Sequence, residues 1–342
     1  MDNFVKEYEQ QLNNIRSLGI RPRLLLHTCC APCLSGMIEE LHSYFDITLY
    51  FSNPNISPGD EYEYRLSELS KLLDMLGFDD VKIASPKYMP EAFFDIAKGL
   101  EEEKEGGKRC EKCYRLRLED SFLYAKENNF DFVTTTLSVS PYKNAGLLNE
   151  IGILLEREYG IKYLISDFKK NNGYKRSCEN SKKFGLYRQD YCGCIYSKLE
   201  ADNRIRIKEY DYLPEEAKKI REEVFIKEQG FLSEYDDIDN RAIHLLAFNK
   251  KEHFGTLRLF TKEDDDKTYI LGRLAVKKDA RGKKIGSMLV NYAVKYVKNK
   301  GGKKLILHSQ LHATEFYKKL GFMEFGEIEY EEECPHIWME KH

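Results

Sequence analysis

The chain has 342 residues, 42% of them hydrophobic and 32% charged, with a net charge of −3 at neutral pH. That length holds two ordinary domains, that composition belongs to a soluble globular protein, and the near-neutral balance excludes a whole-molecule electrostatic grip on nucleic acid. The opening residues, MDNFVKEYEQQLNNIRSLGI, carry acids and amides where a secretory signal needs an apolar stretch, and nothing approaches about 18 uninterrupted apolar residues, so a cytoplasmic protein is expected.

RPRLLLHT (21–28) and FDITLYFSN (45–53) read as strands, the second ending in the turn-forming NPN. Helices are expected over 33–44 and 60–77, the latter with Leu66, Leu69, Leu73 and Leu76 on one face. Further strands fall at 130–137 and 161–166, with a helix at 144–158 between them. This β-α-β order predicts a parallel sheet covered on both faces, with ligands beyond the carboxyl ends of its strands, where Cys29 and Cys30 fall. The polar stretch KLEADNRI (198–205) reads as a linker. After it come a strand at 204–210, helices over 214–228 and strands at 242–249, 254–261 and 268–276. A helix at 284–299, a strand at 303–309 and a helix at 312–319 complete the pattern.

Eight of the nine cysteines lie before residue 200, a placement that reads as metal ligands or redox thiols in a reducing compartment. Cys29, Cys30 and Cys33 come from HTCCAPC, Cys110 and Cys113 from KRCEKCYRLRL, and Cys192 and Cys194 from YRQDYCGC. The first five suit either zinc or an iron–sulfur cluster, and spacing leaves both open. Cys192-Gly193-Cys194 suits a small, reducible disulfide or a further metal pair, and the single Cys178 and Cys334 suit packing. Residues 1–200 hold 27 Lys and Arg against 31 Asp and Glu, yet 168–188 concentrates Lys169, Lys170, Lys175, Arg176, Lys182, Lys183 and Arg188 against Glu179 alone. On charge alone this is a solvated helix face or a phosphate contact.

HTCCAPC, YFSNPNISPGDEYEYR, RCEKCYRLRL, TTTLSVSPYKN, GYKRSC and LYRQDYCGCIYS, in that order between about residues 22 and 197, resemble epoxyqueuosine reductase of the QueH type. The resemblance implies a Rossmann-like (HUP-like) α/β domain over 1–200 that reduces epoxyqueuosine to queuosine at the wobble position of tRNA. It implies a 4Fe–4S cluster on Cys29, Cys30, Cys110 and Cys113, and a redox-active disulfide between Cys192 and Cys194. Cys33 would ligate the cluster or hold an additional iron. An electron donor protein is required, because removing an epoxide oxygen as water takes two electrons and two protons. Tyr142, Tyr187 and Tyr191 are candidate proton donors, and the basic segment, interleaved with Tyr174, Phe184 and Tyr187, becomes an anticodon-loop contact.

RLAVKKDARGKKIGSMLVNYAV (273–294) and ILHSQLHATEFYKKLGF (306–322) resemble the core of a GNAT N-acetyltransferase. VFIKEQGFLSEYDDID (224–239) and ECPHIWMEK (333–341) place the resemblance in the ElaA/YjcF-like branch. It implies a second α/β domain over 203–342 that takes acetyl-CoA. Leu274 and Val276 would lie along the pantetheine, Arg281, Gly282, Gly286 and Ser287 at the pyrophosphate on a helix start, and Tyr317 would protonate the departing thiolate. One departure is Lys284, where the family often has glycine. Glu228, His244 and His336 are candidate bases. The rival readings are a zinc-stabilised tRNA-binding module joined to the acetyltransferase, and an ATP-dependent tRNA thiolase. The thiolase is disfavoured because HTCCAPC stands where a glycine- and serine-rich phosphate loop would be needed.

Overall fold

In the computed structural model, which describes residues 3–17 and 19–342, the chain divides into two units, Met1–Ala201 and Asp202–His342. The first is built on β1 (Arg23–His27), β2 (Asp46–Tyr50), β3 (Lys82–Ala84), β4 (Phe132–Thr135) and β5 (Lys162–Tyr163). All pair in parallel in the order β3-β2-β1-β4-β5. The apolar run of β1 is why it sits centrally: Leu24 and Leu26 enter one core while Leu25 enters the other, as side chains of successive strand residues must. The cores are closed by α1 (Asn3–Ser17), α2 (Ala31–Ser35), α3 (Ile38–His42), α4 (Gly59–Leu76), α5 (Pro90–Ala97), α6 (Lys108–Glu127), α7 (Ala145–Tyr159), α8 (Gly173–Lys183) and α9 (Ile195–Asn203).

The single helix expected over 33–44 is two short ones, broken at Gly36, where a Cβ would lie 2.6 Å from the Gly173 carbonyl oxygen of α8. The expected linker at 198–205 is helical as far as Asn203: α9 buries Ser197 and Ala201, and its polar residues cover the outward face. β5 is shorter than the strand expected at 161–166, with only Lys162 and Tyr163 paired to β4.

The second unit is a seven-stranded sheet of β6 (Arg206–Tyr210), β7 (Ile243–Phe248), β8 (His253–Lys262), β9 (Asp265–Val276), β10 (Lys304–Gln310), β11 (Met323–Glu331) and β12 (Cys334–Lys341), in the order β11-β12-β10-β9-β8-β7-β6. Only β9 and β10 run parallel. The helices are α10 (Glu215–Arg221), whose continuation Glu222–Glu228 is π-helical, α11 (Ile285–Asn299) and α12 (Thr314–Lys318). Ile285, Leu289, Ala293 and Val297 recur at helical spacing and seat α11 on the sheet core.

β9 and β10 pair only as far as Leu271 and Leu307. Beyond that point β9 stays with β8 through a bulge, with Arg273 at φ +52°, while β10 continues along β12 to Gln310. The two central strands part there, and a cleft opens between them.

Candidate functional sites

The first site lies beyond the carboxyl ends of β1 and β4, where the order of the parallel sheet reverses around its central strand. Cys29 leaves β1 with its N–H directed at the Thr136 hydroxyl, 3.4 Å away, just past β4. Cys30 caps α2, and Cys33 brings its sulfur back, so that the three Sγ atoms lie within 4.8 Å of one another. Cys110 and Cys113 occupy successive turns on one face of α6, and the Gly106 N–H donates to Cys110 Sγ at 3.2 Å. Cys194 immediately precedes α9 and takes the Ser197 N–H at 3.4 Å. The charges of Cys192 and Cys194 bear on both α6 cysteines, and Cys110 shares an apolar cluster with Cys29 and Cys30. Seven thiols from three chain segments thus gather at one end of the sheet, two groups of them at the amino-terminal ends of α6 and α9, where helix dipoles favour negative charge.

Hydrogen bonds from Cys30 and Cys33 push the Cys29 thiol well down, and the same bond holds Cys30 at about 12. Burial pushes Cys113 up to about 12 and raises Cys110 and Cys194. Cations that sequence reading missed frame the thiols. Arg65, Arg109 and Arg117 are each 1% exposed. Burial would strip the charge from Arg117, but Cys113, Cys29 and Cys192 outweigh it, and its pKa is raised. Lys143, also buried, is opposed by the same burial and is held charged by Cys192, Tyr114 and Glu105, the last at 2.6 Å. His27, fully buried with Nδ1 2.8 Å from Thr135 Oγ, is pushed down to about 3 by burial and by Arg117, and so is neutral.

These cations test whether the site suits a thiolate-held metal group. Arg109 hydrogen-bonds the carbonyls of Leu100 and Glu101, and Arg117 the neutral His27 and Asn53. Arg65 pairs with Glu61 at 2.7 Å and leaves only its Nη2 unpartnered, whereas Arg109, with its Nε unpartnered, and Arg117 meet no carboxylate among the described residues. Buried cations left without a counter-charge cost about 3–5 kcal/mol each, so the frame calls for negative charge among the thiols. A cluster or metal held by several thiolates supplies it, and the residues fit.

Gly193 holds φ +131° between Cys192 and Cys194, with Arg65 Nη1 donating to the Cys192 carbonyl at 3.1 Å. All nine cysteines are free thiols in the structure. Of the candidate proton donors, Tyr142 is 74% exposed, Tyr187 donates to Glu61 at 3.3 Å, and Tyr191 lies under the Arg65 guanidinium with its hydroxyl pushed up by burial to about 12. The basic segment forms α8 and the turn after it. Lys175 and Arg176 pair with Glu179 and Glu40, whereas Lys182 and Lys183 are exposed and Arg188 lies over Tyr174. α8 is tied to the cysteine turn: Ser177 Oγ donates to the Pro32 carbonyl (2.6 Å), Asn180 Nδ2 to Ser35 (2.7 Å) and Arg176 Nε to Gly36 (3.1 Å).

The second site is the cleft between β9 and β10, of about 820 Å³. Leu274, Val276, Arg281, Gly282, Gly286, Ser287 and Tyr317 all line it. Gly286 lets α11 approach the Phe316 ring, which would stand 3.3 Å from any Cβ there. Lys284 caps α11 at φ +63°, a left-handed conformation that glycine adopts without strain. The Arg281 guanidinium forms a two-point ion pair with Glu228 at 2.6 Å, and that bond pushes the Glu228 carboxyl down, making it a weak base. His336 lines the cleft, whereas His244 does not, being tied at 3.0 Å to the Asp239 carbonyl. Sequence reading missed His308, which lines the cleft between His336 and Trp338, with ring centroids at 4.9 and 4.6 Å. The Tyr317 ring packs against Phe316 and Phe322, and burial pushes its hydroxyl up.

A thiol cluster at the switch point of a parallel sheet, joined to a splayed sheet with a glycine-containing helix start in its cleft, defines a two-part enzyme: a cysteine-based redox unit and an acyl-CoA-type transferase unit. The model of the epoxyqueuosine reductase QueH family matches residues 24–200, and that of the acetyltransferase (GNAT) domain matches 210–342. The chain belongs to the epoxyqueuosine reductase QueH family and carries a GNAT acetyltransferase domain after it. QueH of Staphylococcus epidermidis is 41% identical over 209 residues, covering 58% of this chain and 88% of its own length. QueH of Streptococcus pyogenes serotype M1 is 38% identical over 210 residues, covering 60% and 82%. Among solved structures, Escherichia coli ElaA is 26% identical at a TM-score of 0.38, matched over 41% of this chain and all of its own. Among the described residues no helix is long and apolar enough to cross a membrane.

Proposed function

We propose that the first unit reduces epoxyqueuosine to queuosine in tRNA, and that the second transfers an acetyl group from acetyl-CoA to an amine. The observation that carries the first half is the group of Cys29, Cys30 and Cys33 with sulfurs within 4.8 Å of one another, with Cys110 in the same cluster and Cys113 packed with Cys194, among buried arginines in a chain of the QueH family. Cys29, Cys30, Cys110 and Cys113 would hold a 4Fe–4S cluster, with Cys33 a fifth ligand or the holder of an additional iron. When bound, such a cluster would supply single-electron transfer, and an additional iron with an open position would polarise a C–O bond. Cys192 and Cys194 give up two electrons and two protons as their disulfide forms, the epoxide oxygen leaves as water, and an electron donor protein restores the dithiol. Arg117 and Lys143, both buried, keep negative charge on the thiols favourable. Anaerobic turnover of epoxyqueuosine-containing tRNA, read by nucleoside mass spectrometry, tests this. Absence of queuosine from a protein with full iron content would refute it.

The exposed cations at the end of α8 are the tRNA contact in this reading. Reversing charge at Lys182, Lys183 and Arg188 is expected to weaken tRNA binding and to flatten its salt dependence by about 0.7–0.9 in log–log slope per lost phosphate contact. Filter binding across a salt series measures both, and unchanged affinity would remove α8 from the interface.

For the second unit, the turn at 281–286 would hold the pyrophosphate through backbone N–H groups, β9 would align the thioester, and Tyr317 would protonate the thiolate. Tyr317→Phe is then expected to lower kcat by about 10²-fold with acetyl-CoA affinity nearly unchanged. Calorimetry and turnover on the full chain measure the two separately. A large loss of affinity instead would make Tyr317 a packing residue.

A further inference from the structure

Beyond the α11 turn, the cleft is walled by β10, β12 and the end of β11. Every residue of the edge strand β11 is exposed. Residues 323–334 hold six glutamates and neither lysine nor arginine. In the antiparallel register Glu329 faces His336 and Glu331 faces Cys334, so both carboxylates share the sheet face of His336. Glu331 comes within 3.7 Å of His336 Nε2, and Glu329 within 3.6 Å of His308 Nε2 while accepting from Trp338 Nε1 at 3.3 Å.

His336 is only 4% exposed, and its Nδ1 lies 2.9 Å from the Cys334 carbonyl. That contact requires Nδ1 to carry the hydrogen, so that in the neutral ring the lone pair is on Nε2 at the cleft. The charges that face it are Glu331, Glu329 and the neighbouring His308, with Arg273 reaching Glu331 from β9 at 3.9 Å. Glutamates on an edge strand also discourage pairing between sheets, but that role asks nothing of a buried imidazole beside them.

We infer that the acetyl acceptor is an aliphatic polyamine, bound with one ammonium at His336 and the next along the Glu329–Glu331 face. The inference rests on the acetyltransferase reading above. Two same-face residues of a strand stand about 7 Å apart, a step that suits ammonium groups separated by a few methylenes. Phe231, Phe260 and Trp338, which line the cleft, suit the chain between them. The terminal ammonium gives one proton to His336 Nε2, and the freed amine attacks the thioester carbonyl. The C–N bond forms, the C–S bond breaks, Tyr317 protonates the thiolate, and the second amine proton passes to solvent.

The test uses the full chain. Acetyl-CoA binding is measured by calorimetry, and release of CoA thiol is followed with spermidine, n-butylamine and a lysine-containing peptide. Spermidine is expected to exceed n-butylamine in kcat/KM roughly tenfold, the scale of two exposed ion pairs, and the advantage should shrink as salt rises. The double variant Glu329→Gln, Glu331→Gln should lose the advantage while binding acetyl-CoA as before. His336→Gln should lower kcat on both amines and recover as pH rises, since the free amine then forms without a base. Equal kcat/KM for the two amines, a double variant that keeps the preference, or turnover with the peptide alone would overturn the inference. Failure to bind acetyl-CoA would instead overturn the acetyltransferase reading, and the acceptor with it.

Discussion

Alanine at Cys29, Cys30, Cys110 or Cys113 is expected to bring bound iron and reductase activity to background together. Cys29 and Cys30 are fixed by the end of β1 and the start of α2, and Cys110 and Cys113 by successive turns of α6, so each thiol is held in its own position by regular structure. Removing one thiolate also removes negative charge that Arg117, 1% exposed and bonded to neutral partners, depends on. Iron and sulfide analysis alongside anaerobic turnover measures both effects. Cys33→Ala is the informative companion, because its sulfur lies within 4.8 Å of Cys29 and Cys30. Full iron content in the Cys113 variant together with iron loss in the Cys33 variant would exchange those two in the ligand set. Cys178→Ala, half-buried on α8, should leave iron and turnover as they are.

Serine at Cys192 or Cys194 is expected to abolish turnover while iron content stays full. Cys194 Sγ is occupied locally by Ser197, which directs its backbone N–H toward the sulfur at 3.4 Å. The Cys192 carbonyl and Gly193 carbonyl are held by Arg65 and the Ser57 N–H, so the loop keeps its place without either thiol. Hydroxyls cannot form the disulfide that balances two-electron reduction. Visible absorption of the cluster and a count of thiols before and after oxidation read the two halves separately. Loss of iron in both variants would make the pair ligands.

The parallel sheet was legible because β1, β2 and β4 are short apolar runs bounded by turn residues, and the thiol site because HTCCAPC ends the first of them. The carriers of opposite charge were not legible. Arg65, Arg109, Arg117 and Lys143 have the composition of surface residues, and only the folded chain shows them buried around sulfur. β11 was missed for a related reason: its apolar and acidic residues alternate on a strand exposed along its whole length, and Gly326 shifts the register within it. The stretch 198–205 does contain the boundary between the two units, but its helical conformation was not legible, because a helix burying only small residues such as Ser197 and Ala201 leaves no apolar stripe to read. In the cleft, the sequence-implied residues converge, yet Arg281 is already engaged by Glu228, a pairing between positions 53 apart that no local pattern announces.

The three side-chain bonds from α8 to the carbonyls of Pro32, Ser35 and Gly36, with Gly36 pressed against Gly173, have a mechanical consequence. The basic helix and α2, which bears Cys33, are thereby tied to each other at three points and pressed together at a fourth. In the proposed reading, a polyanion bound at Lys182 and Lys183 would be gauged against the sulfurs, the helix serving as a ruler whose zero is fixed at Gly36. A Cβ added at Gly36, 2.6 Å from the Gly173 carbonyl oxygen, would push α2 and α8 apart and reset that zero.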